Sequence, residues 1–208
     1  CADDFVLTVE TGPVGGITSQ GVAFGANVNT RAILDMTSQF DFYHGGGLDV
    51  CYLSFAEVDS HGNVGVHKFN GKIMGTGGFI DISATSKKIV FCGTLTAGSL
   101  KTEVGDGKLT IRQEGRVKKF IRELPEITFS GKIALERGLD VRYITERAVF
   151  TLKEDGLHLV EIAPGVDLQK DVLDNMDFLP VISPDLKLMD ERLFIDAAMG
   201  FVLPDATH

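Results

Sequence analysis

Short apolar runs, each closed or interrupted by glycine, restrict this chain more than any other feature. Leu48 to Val58, Val64 to Phe69, Lys87 to Cys92 and Val149 to Ile162 are rich in β-branched and aromatic residues, and a glycine-bearing turn bounds every one. Runs of this kind read as strands. None approaches the ~18 consecutive apolar residues of a membrane-crossing helix, so no membrane partner is expected. Glycine supplies 24 of the 208 residues, above the usual ~7 %. Without a collagen repeat, that excess means tight turns and close backbone approaches.

Phe5 to Val9 reads as a strand with Glu10 at its C-terminal end, followed by a glycine-laced loop from Thr11 to Gly25. Residues 26–36 fit either a loop or a short helix. Leu48 to Val58 and Val64 to Phe69 flank the turn Asp59-Ser60-His61-Gly62-Asn63. Gly75-Thr76-Gly77-Gly78 precedes a helix start at Phe79, and Lys87 to Gly93 is a buried strand. Gly105-Asp106-Gly107 and Glu154-Asp155-Gly156 mark hairpin turns. Gly131 to Arg137 is a short helix, Asp167 caps a helical stretch with Leu168, Val172, Leu173 and Met176 on one face, and a last short helix falls near 191–200. No repeat, linker or low-complexity segment divides the chain. Strands mixed with short helices and hairpins predict an α/β layer fold with a mixed sheet, in one domain over residues 1–208. A chain of this length buries enough surface to fold without metal or disulfides.

Lys and Arg number 20 against 29 Asp and Glu, a formal net charge of −9. An acid surplus does not favour a protein that coats nucleic-acid phosphates. The basic series Arg112, Arg116, Lys118, Lys119 and Arg122 is interleaved with acids, as on a solvated face. Cys1, Cys51 and Cys92 form an odd set without CxxC spacing. Cys51 and Cys92 lie in apolar runs and read as buried, reduced thiols. No charged segment followed by an apolar core marks a secretory signal. These features predict a cytoplasmic location. The chain opens Cys1-Ala2-Asp3-Asp4 without methionine, and it reads as a piece of something longer.

Most catalytic signatures fail. Gly75-Thr76-Gly77-Gly78 lacks the third glycine of GxGxxG, and no GxxxxGK[ST] is present. Gly16-Ile17-Thr18-Ser19-Gln20-Gly21 is not GxSxG. His61 and His67 show no HExxH spacing and read as surface residues, so no metal is expected. Glu10 and the glycines remain. In open α/β sheets, ligands gather beyond the C-terminal ends of strands, and glycine-dense loops aim backbone N–H groups at anions. On these residues alone, a surface acid followed by turn glycines is the simpler reading.

Four blocks then carry a resemblance. Val9-Glu10-Thr11-Gly12-Pro13-Val14-Gly15-Gly16 resembles the glutamate motif of the family I CoA-transferases. Ser38-Gln39-Phe40-Asp41-Phe42-Tyr43-His44-Gly45-Gly46-Gly47-Leu48-Asp49 resembles their next landmark. Gly75-Thr76-Gly77-Gly78-Phe79-Ile80-Asp81 is similar to the family's GxGGxxD loop. Thr145 to Phe150, with Gly156-Leu157-His158-Leu159 and Glu161-Ile162-Ala163-Pro164-Gly165, matches its C-terminal block. The blocks occur in family order across nearly the whole chain, nearest to the bacterial short-chain acyl-CoA:acetate branch.

The resemblance implies an open three-layer α/β/α unit with a mixed, mostly parallel sheet. It identifies the chain with the C-terminal, β-type half of such an enzyme, whose N-terminal half is absent and is the expected partner, in a homo-oligomer. The implied activity moves CoA between an acyl-CoA and a short-chain carboxylate. Glu10 is the implied nucleophile. It forms a mixed anhydride and then a γ-glutamyl-CoA thioester, so coenzyme A is substrate and covalent intermediate and no other cofactor is needed. The Gly75–Gly78 loop is the implied source of an oxyanion or CoA-binding N–H, from Gly77 or Gly78 rather than Gly75. Gln39 would orient Glu10, Gly46 and Gly47 would line the pocket, and Asp3 and Asp4 should point away from the nucleophile. Rival readings are an acyl-CoA hydrolase using the same glutamate and a non-enzymatic small-molecule sensor of similar fold. The isolated segment is expected to transfer no CoA.

Overall fold

The computed structural model describes residues 5–69 and 71–200; Cys1, Asp3 and Asp4 lie outside them. Its centre is a six-stranded sheet of β1 (Val50–Ser54), β2 (Lys88–Cys92), β3 (Asp140–Ile144), β4 (Ala148–Lys153), β5 (Gly156–Ile162) and β6 (Val181–Leu188), arranged in chain order across the sheet. β1, β2 and β3 run parallel, with Ile89 opposite both Cys51 and Val141. β3, β4 and β5 are antiparallel, and β6 returns parallel to β5. The α/β class and the mixed, mostly parallel sheet are those expected from the sequence.

Strand alternation sorts the two faces. Cys51, Ile89, Phe91, Val141 and Tyr143 form one buried face. Helices α1 (Met36–His44), α2 (Phe79–Thr85) and α3 (Gly131–Glu136) add Tyr43, Phe79, Ile82 and Ala134 to the same core. Phe79 of α2 stacks on Phe91 with ring centroids 5.7 Å apart. On the opposite face a smaller cluster joins Val149 to Leu109 and Phe194. The covering layer there is a two-stranded hairpin (Lys101–Gly105 with Lys108–Gln113) and a 3-10 turn at Glu191–Phe194, rather than a helix. The predicted helix at 191–200 is limited to that turn.

Two local expectations change. Leu48 to Val58 is not one strand: β1 ends at Ser54, and Glu57–Asp59 pairs separately with Val64–Gly65. Cys92 is exposed, not buried. Ile89 and Phe91 occupy the core face of β2, which leaves Lys88 and Cys92 exposed at the strand's two ends. Cys51 is buried as expected, and burial pushes its thiol pKa up. No helix among the described residues is long and apolar enough to cross a membrane.

Candidate active site

Glu10 stands in a tight turn. The Gly12 N–H donates to Val9 O at 2.9 Å, and the Val9 N–H donates to Pro13 O at 3.1 Å. The predicted strand from Phe5 to Val9 is therefore one arm of a small hairpin, bridged once between Thr8 and Val14. Glycines cut it short: Gly12, Gly15 and Gly16 have φ of +116°, +71° and +78°, values that turn the chain back. Pro13–Val14 pairs with Ala32–Ile33, and Thr11 Oγ1 donates to Gly25 O at 2.8 Å. These bonds fix the turn on its outer side. The segment 26–36 left open by the sequence supplies that pairing as short strands, and helix begins only at Met36.

The half-buried Glu10 carboxylate meets the glycine loop. The Gly78 N–H donates to Glu10 Oε2 at 3.2 Å. A Cβ at Gly78 would lie 2.3 Å from that oxygen and 2.6 Å from Phe40 Cζ, so only glycine lets the backbone come this close. A Cβ at Gly77 would lie 3.6 Å from Glu10 Oε1, and the φ of +51° there also favours glycine. Gly75, at φ +83°, faces open space. The structure thus brings Glu10, Gly77 and Gly78 together across the sequence, and Gly75 sets the turn that leads into them.

Helix α1 lies beside this contact. The Asp35 carboxylate caps it, accepting from the Ser38 N–H at 3.0 Å and from Ser38 Oγ at 2.6 Å, which lowers the Asp35 pKa. Gln39 is fully buried and donates through Nε2 to Tyr43 Oη at 2.8 Å; Tyr43 Oη in turn donates to Thr8 Oγ1 at 2.9 Å. Among the described residues, Gln39 Oε1 has no hydrogen-bond partner. Gly46 and Gly47 close the helix: their N–H groups donate to Tyr43 O and Phe42 O, both at 3.0 Å, with Gly46 at φ +84°. This is a left-handed helix cap, and it accounts for both glycines without a ligand. His44 Nε2 lies 3.0 Å from Asp81 Oδ1, joining the end of α1 to the first turn of α2. Tyr43, Thr8 and Phe40 had no role in the sequence reading. The spacing of Gln39 and Tyr43 on a capped helix was the available signal.

A cavity of about 310 Å³ adjoins the turn, lined by Thr8, Val9, Glu10, Tyr43, Cys51 and Leu53 among others. Its walls are mainly apolar, so a carboxylate stands at the margin of a space suited to hydrocarbon. Among the described residues, no group of His, Cys, Asp and Glu side chains is placed to hold a metal ion.

The Thr145–Phe150 block does structural work. The fully buried Arg147 side chain grips Glu114 through Nη1 at 2.7 Å and Nη2 at 3.1 Å, and Glu146 through Nε at 2.6 Å. Burial raises the Glu114 carboxyl, but bonds from Arg147, Thr96 and Gly115 outweigh it and hold the group below its ordinary value. Lys119 departs from the predicted solvated face. It is 7 % exposed, with Nζ 4.0 Å from the centre of the Phe55 ring. Burial pushes its pKa down to about 8, against the opposing pull of Glu146 and Glu57.

Over all 208 residues the chain is 92 % identical to acetate CoA-transferase YdiF of Escherichia coli O157:H7 and covers 39 % of that protein. It is 45 % identical over 209 aligned residues to the caffeate CoA-transferase of Acetobacterium woodii, matching 95 % of this chain and 40 % of that one. The crystal structure of the E. coli O157:H7 acyl-CoA transferase YdiF in a thioester complex with CoA superposes with a TM-score of 0.93 and 90 % identity, over 99 % of this chain and 39 % of the other. The chain therefore spans well under half the length of these relatives. No family model matches it. Over every residue, in sequence and in fold, the chain is thus a homologue of family I CoA-transferases and matches one portion of their longer architecture.

Proposed function

We propose that this chain carries the nucleophile of an acyl-CoA:carboxylate CoA-transferase, with Glu10 as the attacking group and a short-chain acid such as acetate as acceptor. The observation that carries this reading is the Glu10 carboxylate bonded to the Gly78 N–H beside an apolar cavity. One Glu10 oxygen attacks the thioester carbonyl; CoA leaves as thiolate, and the carboxyl and acyl groups are joined as an anhydride. The thiolate then attacks the Glu10 carbonyl carbon, the acyl group departs as a free carboxylate, and a glutamyl-CoA thioester remains. An incoming carboxylate reverses both steps, so one thioester is exchanged for another overall and its energy is conserved. In the second step negative charge builds on a Glu10 oxygen. Gly78 already donates to Oε2, and one preorganised donor at such a centre contributes ~3–4 kcal/mol. The reaction as written consumes no metal or organic cofactor. The remaining length found in the relatives supplies the rest of the CoA site and is the partner this segment needs. The thioester complex with CoA formed by the YdiF relative supports the covalent route.

The test uses a graft: this segment in place of its 92 % identical counterpart in full-length E. coli YdiF. Carboxylate-dependent exchange of label between two CoA esters is the expected outcome. CoA release without exchange would mark a hydrolase, and binding without turnover would mark a sensor.

A further inference from the structure

We infer that Tyr43 is a positioning residue for Glu10, acting through Thr8. This rests on Glu10 being the nucleophile. Two residues one helical turn apart on α1 serve the two arms of the site. Phe40 lies under the Gly78 backbone, 2.6 Å from where a Cβ would be, and Tyr43 reaches Thr8, two positions before Glu10. The Tyr43 hydroxyl is 2.9 Å from Thr8 Oγ1, a link across 35 residues of sequence, and its ring is 2 % exposed. Its single proton is committed. Gln39 Nε2 can only donate, so the hydroxyl accepts from it at 2.8 Å and gives its own proton to Thr8. Gln39 is itself fully buried on α1, so the chain from Gln39 through Tyr43 to Thr8 ties the turn to a rigid helix.

The consequence is geometric. Backbone bonds tie the two arms of the hairpin to each other, and the far arm is anchored further at Thr11–Gly25 and Pro13–Ile33. The Tyr43–Thr8 bond holds the near side, on the arm that leads directly into Glu10. Nucleophilic attack needs reacting atoms within ~3–3.5 Å, and a ~1 Å displacement costs on the order of 100-fold in rate. Removing the hydroxyl unties the near arm from α1 and leaves it held through the hairpin alone. The Tyr43–Thr8 bond acts on the placement of the nucleophile, so the rate of attack changes more than the affinity for CoA.

The experiment compares Tyr43→Phe, Thr8→Val and the double variant Gln39→Leu/Tyr43→Phe in the grafted full-length enzyme. The double variant removes both buried polar partners together and so avoids stranding the Gln39 amide. Burst formation of the Glu10–CoA adduct and steady-state kcat and KM are measured per folded molecule, with the folded fraction taken from denaturant titration. We expect kcat and the adduct rate to fall ~10- to 100-fold in all three, with KM within about threefold of the parent. Rates within twofold of the parent in Thr8→Val or in the double variant would overturn the inference, as would a loss appearing only in KM. A parent graft that forms no adduct on Glu10 would instead overturn the nucleophile assignment on which the inference stands.

Discussion

The Gly78 N–H donates to Glu10 Oε2 across 3.2 Å, joining residues 68 positions apart. Gly78 has φ −78°, which any residue adopts. Its glycine is required by space, because a Cβ would fall 2.3 Å from the carboxylate oxygen it serves. Gly78→Ala should therefore displace Glu10 from its donor and push the Phe40 ring aside, so turnover is read per folded molecule. We expect kcat for CoA exchange to drop on the order of 100-fold in the grafted enzyme. A Gly78→Ala enzyme with full turnover would show that this contact is incidental.

Arg147 should behave as a structural residue of high cost. Replacing it with Met strands Glu114 and Glu146, which now share one buried guanidinium. Breaking such a buried set typically costs ~3–5 kcal/mol. Arg147→Lys should recover only part of that, since one ammonium cannot reproduce a forked contact with Glu114 and a second with Glu146. Urea unfolding midpoints decide it; a loss below about 1 kcal/mol would contradict the burial argument.

Lys119 gives a pH signature. Its folded pKa of about 8 lies below the ordinary 10.5, so between those values the unfolded chain holds more protons and stability rises with pH. The charged amine is the penalised form, and the penalty lifts as pH climbs through that window. The stability advantage of Lys119→Met over the parent should then shrink by roughly 2–3 kcal/mol from pH 7 to pH 10. Comparing the two proteins cancels other titrations, such as that of the buried Tyr143. A difference that stays flat or widens would refute the buried-cation account.

The cysteines separate by exposure. Cys92 is exposed and Cys51 buried. Iodoacetamide on the native protein should label the Cys92 peptide and spare the Cys51 peptide until denaturant is added. Equal labelling of both under native conditions would be inconsistent with the packing of β1.

The sequence was most readable where periodicity and turn chemistry agree. β2 alternates Ile89 and Phe91 toward the core, and Asp106-Gly107, with φ of +52° and +73°, forms the expected hairpin turn. Glu10 and the glycine loop could be named from their blocks, yet the contact between them could not, because it is set by tertiary placement. Gly46 and Gly47 look like pocket glycines in sequence and serve as a helix cap in the structure. Cys92 and Lys119 were misread for related reasons. An apolar run does not reveal which end residue leaves the core, and a basic series does not reveal which member is drawn under a ring such as Phe55. The Gln39–Tyr43–Thr8 chain joins two elements distant in sequence, and no local pattern announces it.

The central claim is that Glu10 becomes covalently bound to CoA. The most direct measurement is peptide mass spectrometry of the grafted enzyme after incubation with acetyl-CoA, followed by borohydride reduction of a parallel sample. The account predicts a CoA adduct on the peptide bearing Glu10, its conversion to the alcohol on reduction, and neither in Glu10→Gln. An active enzyme whose Glu10 peptide stays unmodified, or a Glu10→Gln variant that keeps a tenth of the turnover in a deamidation-free sample, would contradict it.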